Sequence, residues 1–301
     1  MSKKTYAPVI LFTYRRLKTL KRTINSLQKN NISNNTQIYI FSDGPKNSND
    51  YNDVIKVRNY LKKIKNFKQK KIIFRKKNIG LAKNIIDGTT QVLSLKKKAI
   101  ILEDDILVSE NFLEFMNYCL DTFNDNKKIW HINGWNYPIE LNATKEDIFY
   151  WRGMHCWGWA TWSNRWKKFQ KNPEKLINSF SKDQKHKFNY DGNTNFWGQI
   201  KRNYDKKIDT WAIFWYASIF KNKGLCVSPK ESCTFNIGND KFATNMLDSD
   251  KSINSNFKKK FHKKNIFTRQ EKFEENLISY NQIKKHIKFN RLKNILLNLF
   301  K

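Results

Sequence analysis

The feature that most constrains the fold is a repeated pattern in which a short apolar run is followed by apolar residues at helical spacing. Val9-Ile10-Leu11-Phe12 precedes Leu17, Leu20, Ile24 and Leu27, and Ile38-Tyr39-Ile40-Phe41 stops at Ser42-Asp43-Gly44-Pro45 before Val54, Val57, Leu61 and Ile64. Ile72-Ile73-Phe74 runs through Asn78-Ile79-Gly80-Leu81 into Ile85, Ile86 and Val92, and a fourth run, Ala99-Ile100-Ile101-Leu102, ends in Glu103-Asp104-Asp105. Such runs read as strands buried on both faces, and spacings of three and four mark helices packed by one side. Their alternation predicts an α/β fold with a mostly parallel sheet, right-handed crossovers and helices on both faces. Ligands of such sheets bind at the carboxyl ends of the strands, so Thr13 to Arg16, Asp43 and the acidic triplet should share one edge.

Beyond the triplet the pattern changes. Ser109, read as an N-cap, precedes Phe112, Phe115, Met116, Cys119, Leu120 and Phe123 at helical spacing. Residues 130–166 hold seven of the ten Trp: Trp130, Trp135, Trp151, Trp157, Trp159, Trp162 and Trp166. Residues 167–205 are polar and lysine-rich and read as a helical or loop insertion, and Thr210 to Gly238 is a last ordered stretch. The predicted division is a main domain over 1–245, in two halves 1–108 and 109–245, and a basic helical extension over 246–301. In that extension Leu292, Ile295, Leu296, Leu299 and Phe300 form an apolar stripe beside Lys284, Lys285, Lys288, Arg291 and Lys293. The stripe suits docking on the domain or lying on an anionic membrane surface.

The chain has 301 residues, 39% of them hydrophobic, with 22 Phe, 12 Tyr and 10 Trp, which is apolar area enough to fold most of its length. Its 58 Lys+Arg against 26 Asp+Glu give +32, a charge with two readings. Lysine accompanied by much Asn and Ile is the mix of an AT-rich coding sequence, and runs such as Lys96-Lys97-Lys98 and Lys258-Lys259-Lys260 suit solvated surface; a working basic surface would instead attract phosphates or anionic lipid. The four cysteines, Cys119, Cys156, Cys226 and Cys233, lack C-x-x-C spacing and suit a reducing cytoplasm. The apolar run Ala7 to Phe12 is too short for a signal segment, and no apolar run is long enough to span a bilayer. The expected location is cytoplasmic, peripheral on the inner membrane face at most.

Two carboxylates about 4 Å apart repel by roughly 4 kcal/mol at an effective dielectric near 20, and a divalent cation with oxygen ligands, Mn²⁺ or Mg²⁺, offsets that. A solvated acidic loop is the plainer reading. The P-loop pattern is absent, and Thr13-Tyr14-Arg15-Arg16 stands where a dinucleotide fold carries G-x-G-x-x-G.

Leu11-Phe12-Thr13-Tyr14-Arg15, Phe41-Ser42-Asp43-Gly44-Pro45, Asn78-Ile79-Gly80-Leu81-Ala82, Leu102-Glu103-Asp104-Asp105, Trp157-Gly158-Trp159-Ala160-Thr161-Trp162 and Asn236-Ile237-Gly238 together resemble bacterial glycosyltransferases of the GT-A fold. These in turn are similar to the N-acetylglucosaminyltransferase that starts hybrid and complex N-glycans in animals. The resemblance covers roughly residues 7–240. It implies an inverting transfer from a nucleotide sugar, UDP-linked by this reading, to a glycan or glycolipid hydroxyl such as that of lipopolysaccharide core, capsule or a lipid-linked oligosaccharide. It assigns Thr13, Arg15 and Asp43 to the nucleoside and diphosphate, Glu103 and Asp104 to ribose and donor sugar, Asp105 to the metal and Asp209 to the base, with Asp205 and Asp191 as rivals. Lys83 or Asn84 would reach the donor, and Trp135 and Trp157 the acceptor; most of the other tryptophans read as core. The family's closing histidine is missing, since Phe242-Ala243-Thr244-Asn245 stands in its place and His262 lies in a lysine run, which weakens the expectation of a metal.

Two other classes compete. A nucleic-acid-binding protein accounts for the charge but needs basic residues interleaved with stacking aromatics, and here the aromatics cluster where lysines thin out. A non-catalytic nucleotide- or sugar-binding module accounts for the tryptophans but needs no buried acidic triplet. No nucleic-acid partner is therefore expected.

Overall fold

Strand β1 (Val9–Thr13) is buried along its whole length, because its side chains alternate between two separate cores. Val9 and Leu11 face one core with Ile38, Ile40, Ile100 and Leu102, while Ile10 and Phe12 face the other with Phe41, Ala99 and Ile101. That alternation is the period-two consequence of a pleated strand covered on both sides. The computed structural model describes residues 5–141, 145–238 and 267–299, apart from the side chains of 294 and 297–299.

Around β1 lie β2 (Gln37–Ser42), β3 (Gln69–Phe74) and β4 (Lys98–Glu103), in the order β3-β2-β1-β4 and all parallel. The crossover helices are α1 (Leu17–Gln28), α2 (Ser48–Lys63) and α3 (Leu81–Leu95). Leu20, Ile24, Val57 and Leu61 of α1 and α2 pack into the first core, and Ala82, Ile85 and Val92 of α3 into the second. After β4 come β5 (Ile106–Val108), α4 (Phe112–Thr122), β6 (Ile129–Asn133), β7 (Ile148–Trp151) and β8 (Trp159–Trp162). The N-cap of α4 is Asn111 rather than the predicted Ser109, whose hydroxyl donates to Asn111 Oδ1 at 2.8 Å.

Helix α5 (Ser163–Trp166) leads into the 167–205 segment, which is largely helical, with α6 (Pro173–Ser179), α7 (Lys182–Phe188) and α8 (Phe196–Tyr204). Then α9 (Ala212–Lys221), β9 (Leu225–Pro229) and β10 (Thr234–Asn236) follow, and α10 (Leu277–Leu299) closes the chain. The full sheet runs β3-β2-β1-β4-β8-β6-β9-β7. Because β8 is antiparallel to both β4 and β6, β6 and its parallel neighbour β9 point the same way as β4, and only β8 and β7 run against the rest. The sheet is thus mostly parallel and flanked by helices on both faces.

Of the seven tryptophans in 130–166, all but Trp157 are buried. Trp159 stacks on Trp211 with centroids 5.2 Å apart, and Trp215 Nε1 donates to His131 Nδ1 at 3.1 Å. Burial pushes the His131 imidazole down to about 3, so it stays neutral and structural.

The start of α10 docks on the body. Tyr280 and Ile283 are buried in a third apolar cluster with Trp151, Phe188 and Tyr190, and Arg152 grips Glu275 with Nε at 2.8 Å and Nη2 at 2.5 Å. Lys284, predicted to stand on a free basic face, instead donates to Asp191 Oδ2 at 2.7 Å. Phe289, Leu292, Ile295 and Leu296 are exposed. The predicted boundary at 245/246, the Phe242-Ala243-Thr244-Asn245 segment, His262 and Phe300 lie outside the described residues.

Candidate functional site

The parallel strands end together: Thr13 is level with Ser42 and Phe74, and Phe12 with Glu103. This sheet edge gathers the β1–α1 loop, the β2–α2 loop and the acidic triplet. A second segment joins from far along the chain, because β10 pairs antiparallel with β5 directly after the triplet. The Ile237 amide then donates to the Asp105 carbonyl at 2.8 Å, bringing Gly238 against the Asp105 side chain. A Cβ on Gly238 would lie 2.1 Å from Asp105 Oδ2, so only glycine permits the approach.

Asp104 organises the edge. Its Oδ2 accepts from the Thr13 hydroxyl at 2.8 Å and the Tyr14 amide at 3.1 Å, and its carbonyl accepts from the Thr23 hydroxyl at 3.1 Å. Arg16, at the N-cap of α1, lays Nη2 3.3 Å from Asp104 Oδ1 and in contact with Asp105 Oδ2, while Nη1 donates to the Gly238 carbonyl at 3.4 Å. The cation at the triplet is therefore Arg16. Arg15 turns the other way and pairs with Asp50, which also accepts from the Tyr14 hydroxyl at 2.6 Å. Both arginines were visible in the sequence; the direction of each side chain follows from the turn entering α1, which spacing does not encode.

Glu103 is half-buried, and among the described residues no donor or cation pairs with its carboxylate. Burial raises it to about 8, with the charges of Asp105 and Asp104 adding and Arg16 opposing. Burial also raises Asp105 to about 6, against the pull of Arg16.

Asp43 is buried, and its carboxylate ties two loops together: Oδ1 accepts from the amides of Gly44 at 2.9 Å and Ile79 at 3.0 Å, and Oδ2 from Gly80 at 3.1 Å. Gly80 holds φ +79° at the N-cap of α3, where other residues would be strained. Lys83 is exposed and pairs along its helix with Asp87 at 3.1 Å, whereas Asn84 is buried and accepts from Arg75 Nε at 3.1 Å.

Asp209 stands on the exposed turn before α9 and pairs with Lys171; no bond links it to the triplet among the described residues. Asp205 is exposed, and Asp191 is taken by Lys284. Trp135 and Trp157 meet edge to face at 4.9 Å, and Trp135 also packs on His155 at 4.6 Å. The Trp157 carbonyl accepts from the Thr234 hydroxyl at 2.6 Å, which ties this aromatic group to β10, the strand that delivers Gly238.

A divalent ion at Asp105 does not fit the residues as they stand. No group of three His, Cys, Asp or Glu side chains able to hold a metal occurs among the described residues, and Arg16 already engages Asp105 Oδ2 and Asp104 Oδ1.

Residues 90–147 match the family described as Glycosyltransferase family 25 (LPS biosynthesis protein), a segment that contains β4, the triplet, β5, α4 and β6 and is less than half of the chain. The mostly parallel sheet flanked by helices is the α/β architecture that the sequence predicts. Among solved structures, S. aureus TarS 1-349 is 10% identical with a TM-score of 0.46, over 77% of this chain and 60% of that one. The same TarS fragment in complex with UDP-GlcNAc is 10% identical with a TM-score of 0.45, over 76% of this chain and 57% of that one. The mannosyltransferase PcManGT from Pyrobaculum calidifontis, in complex with GDP-Man and Mn²⁺, is 10% identical with a TM-score of 0.36, over 53% of this chain and 45% of that one. The chain thus spans less than two thirds of the length of each. No curated protein matches it by sequence. Among the described residues no helix is long and apolar enough to cross a membrane.

Proposed function

We propose that the chain is an inverting glycosyltransferase that moves a sugar from a nucleotide-diphosphate donor, UDP-linked because Asp43 keeps an acceptor position for uracil, to a hydroxyl of a bacterial surface glycan or glycolipid. The observation that carries the reading is the joining of Asp104, which lies in the segment that matches the family, to Thr13, Tyr14 and Arg16 at the carboxyl edge of the parallel strands. That edge is where an open α/β sheet binds a ligand.

Each group has a chemical task in this reading. Three of the roughly four acceptor positions of Asp43 are used by amides, leaving one for the N3–H of a uracil. Thr13 and Asp104 border the ribose, and Glu103, unpaired, meets the donor sugar. In this reading Arg16 rather than Arg15 meets the diphosphate, whose charge grows as its bond to the anomeric carbon breaks. A base takes the proton of the acceptor hydroxyl, whose oxygen attacks that carbon in line from the opposite face. Asp209 is the first candidate for that base. Glu103 is the second, supported by its lack of a partner and its elevation to about 8, near the range where a base works at neutral pH. Trp135 and Trp157 offer faces for an acceptor ring, and Lys83 is free to swing from Asp87 towards a donor phosphate.

The exposed part of α10 supports a peripheral membrane contact, because Phe289, Leu292, Ile295 and Leu296 stand beside Lys285, Lys288 and Arg291. On an anionic bilayer each such base contributes on the order of 1 kcal/mol. The test of the central reading is calorimetric binding of a panel of nucleotide sugars to the full chain, followed by detection of released nucleoside diphosphate with candidate glycolipid acceptors. The reading fails if no nucleotide sugar binds at millimolar concentration and Asp104→Ala changes nothing.

A further inference from the structure

Arg16 holds an unusual position for a surface helix cap. Its carbonyl accepts from the Leu20 amide and the Thr19 hydroxyl, each at 3.1 Å, which anchors its backbone at the start of α1. The side chain then runs inward, to 15% exposure, and ends between Asp104 Oδ1, Asp105 Oδ2 and the Gly238 carbonyl. Those are three oxygens from two distant parts of the chain, presented to one planar cation. A guanidinium with forked donors suits such a set better than a point charge, and it cannot lose its proton.

The surroundings make the contact consequential. Asp104 and Asp105 are adjacent, buried and followed by a strand that fixes their backbone, so neither can move far to escape the other. Gly238 leaves no side chain to shield Asp105. A cation is needed to hold the two carboxylates together, and the chain supplies one.

We infer that Arg16 is the resident cation of the acidic triplet and excludes a divalent ion from it, so that a metal enters only by displacing the guanidinium. The two cations compete for the same oxygens, Asp105 Oδ2 above all. Removing the guanidinium therefore strengthens metal binding, the opposite of what a supporting residue of a metal site would do. The inference concerns the site of the proposed transfer, but Mn²⁺ binding reads it without donor or acceptor, so its failure and the failure of the transferase reading are told apart.

The experiment titrates Mn²⁺ into the full chain and follows the free ion by electron paramagnetic resonance. Arg16→Gln is expected to bind Mn²⁺ about tenfold or more tightly than the wild type, and adding Asp105→Asn to remove the gain. Arg16→Lys, which keeps a cation, should stay near the wild type. Equal binding by wild type and Arg16→Gln, no binding by either, or a gain that survives Asp105→Asn overturns the inference. Should Arg16→Gln fail to fold, the wild type decides: under Mg²⁺ the Arg16 side-chain Nε–H resonance must shift as the ion binds, and ion binding with that resonance unmoved also overturns it.

Discussion

The Thr13 hydroxyl donates to Asp104 Oδ2 across 2.8 Å, tying the end of β1 to the end of β4. Both residues are buried. The bond places the β1–α1 loop, with Tyr14 and Arg16, over the acidic triplet. Thr13→Val keeps the shape and removes the donor. It is expected to lower unfolding stability by about 1 kcal/mol. It should also weaken nucleotide-sugar binding, because the loop loses its register; calorimetry and urea unfolding measure the two effects, and unchanged donor affinity would separate this bond from the site.

The two candidates for the base differ in surroundings and separate by kinetics. If Asp209 takes the acceptor proton, Asp209→Asn lowers kcat by about a hundredfold or more with donor affinity retained, and Glu103→Gln leaves more activity than that. The reverse order moves the base to Glu103. Asp209→Asn also breaks the exposed pair with Lys171, which costs little stability.

Glu103 gives stability an inverted pH dependence. Its ordinary value is 4.5 and burial lifts it to about 8 in the folded chain. Between those values the folded chain holds a proton that the unfolded chain has lost, so stability from this group is full below 4.5 and falls as pH rises towards about 8. Glu103→Gln should flatten that fall in urea midpoints measured across the window. An unchanged slope would show that the carboxyl titrates in its ordinary range.

The Arg152–Glu275 pair, with Nε at 2.8 Å, fastens the chain entering α10 to β7 and its loop. Arg152→Ala removes the guanidinium from Glu275 and leaves it only the residue-152 amide, 3.1 Å from Oε1, of its bonds to that position; the change is expected to free α10 for proteolysis while the sheet stays intact. Limited proteolysis and circular dichroism follow this. A resistant α10 would assign its docking to Tyr280 and Ile283 alone.

Binding of the full chain to vesicles of anionic and of neutral lipid tests the free face of α10. Leu292→Ser with Leu296→Ser, and separately Lys285→Glu with Lys288→Glu, should each reduce sedimentation with anionic vesicles. Arg152→Ala should leave it intact. Equal sedimentation of all four proteins rules out α10 as the contact.

The sequence by itself determined the scaffold. Continuous apolar runs such as Val9 to Phe12 and Ile100 to Leu102 can be satisfied only between two helical layers, and right-handed crossovers then carry Thr13, Asp43 and Glu103 to one edge. The burial of most tryptophans also follows from composition and strand spacing. What tertiary structure alone decided is which polar group meets which. Arg15 and Arg16 are neighbours with the same chemistry, and only the turn into α1 sends one to Asp50 and the other to Asp104 and Asp105. The pairing of β10 with β5 joins positions more than a hundred residues apart, leaves no periodic signal in either segment, and yet brings Gly238 to the triplet. Local pattern encodes burial, because burial is a property of each residue's own face. Partner choice depends on how distant backbones cross, and that is settled only when the chain has folded.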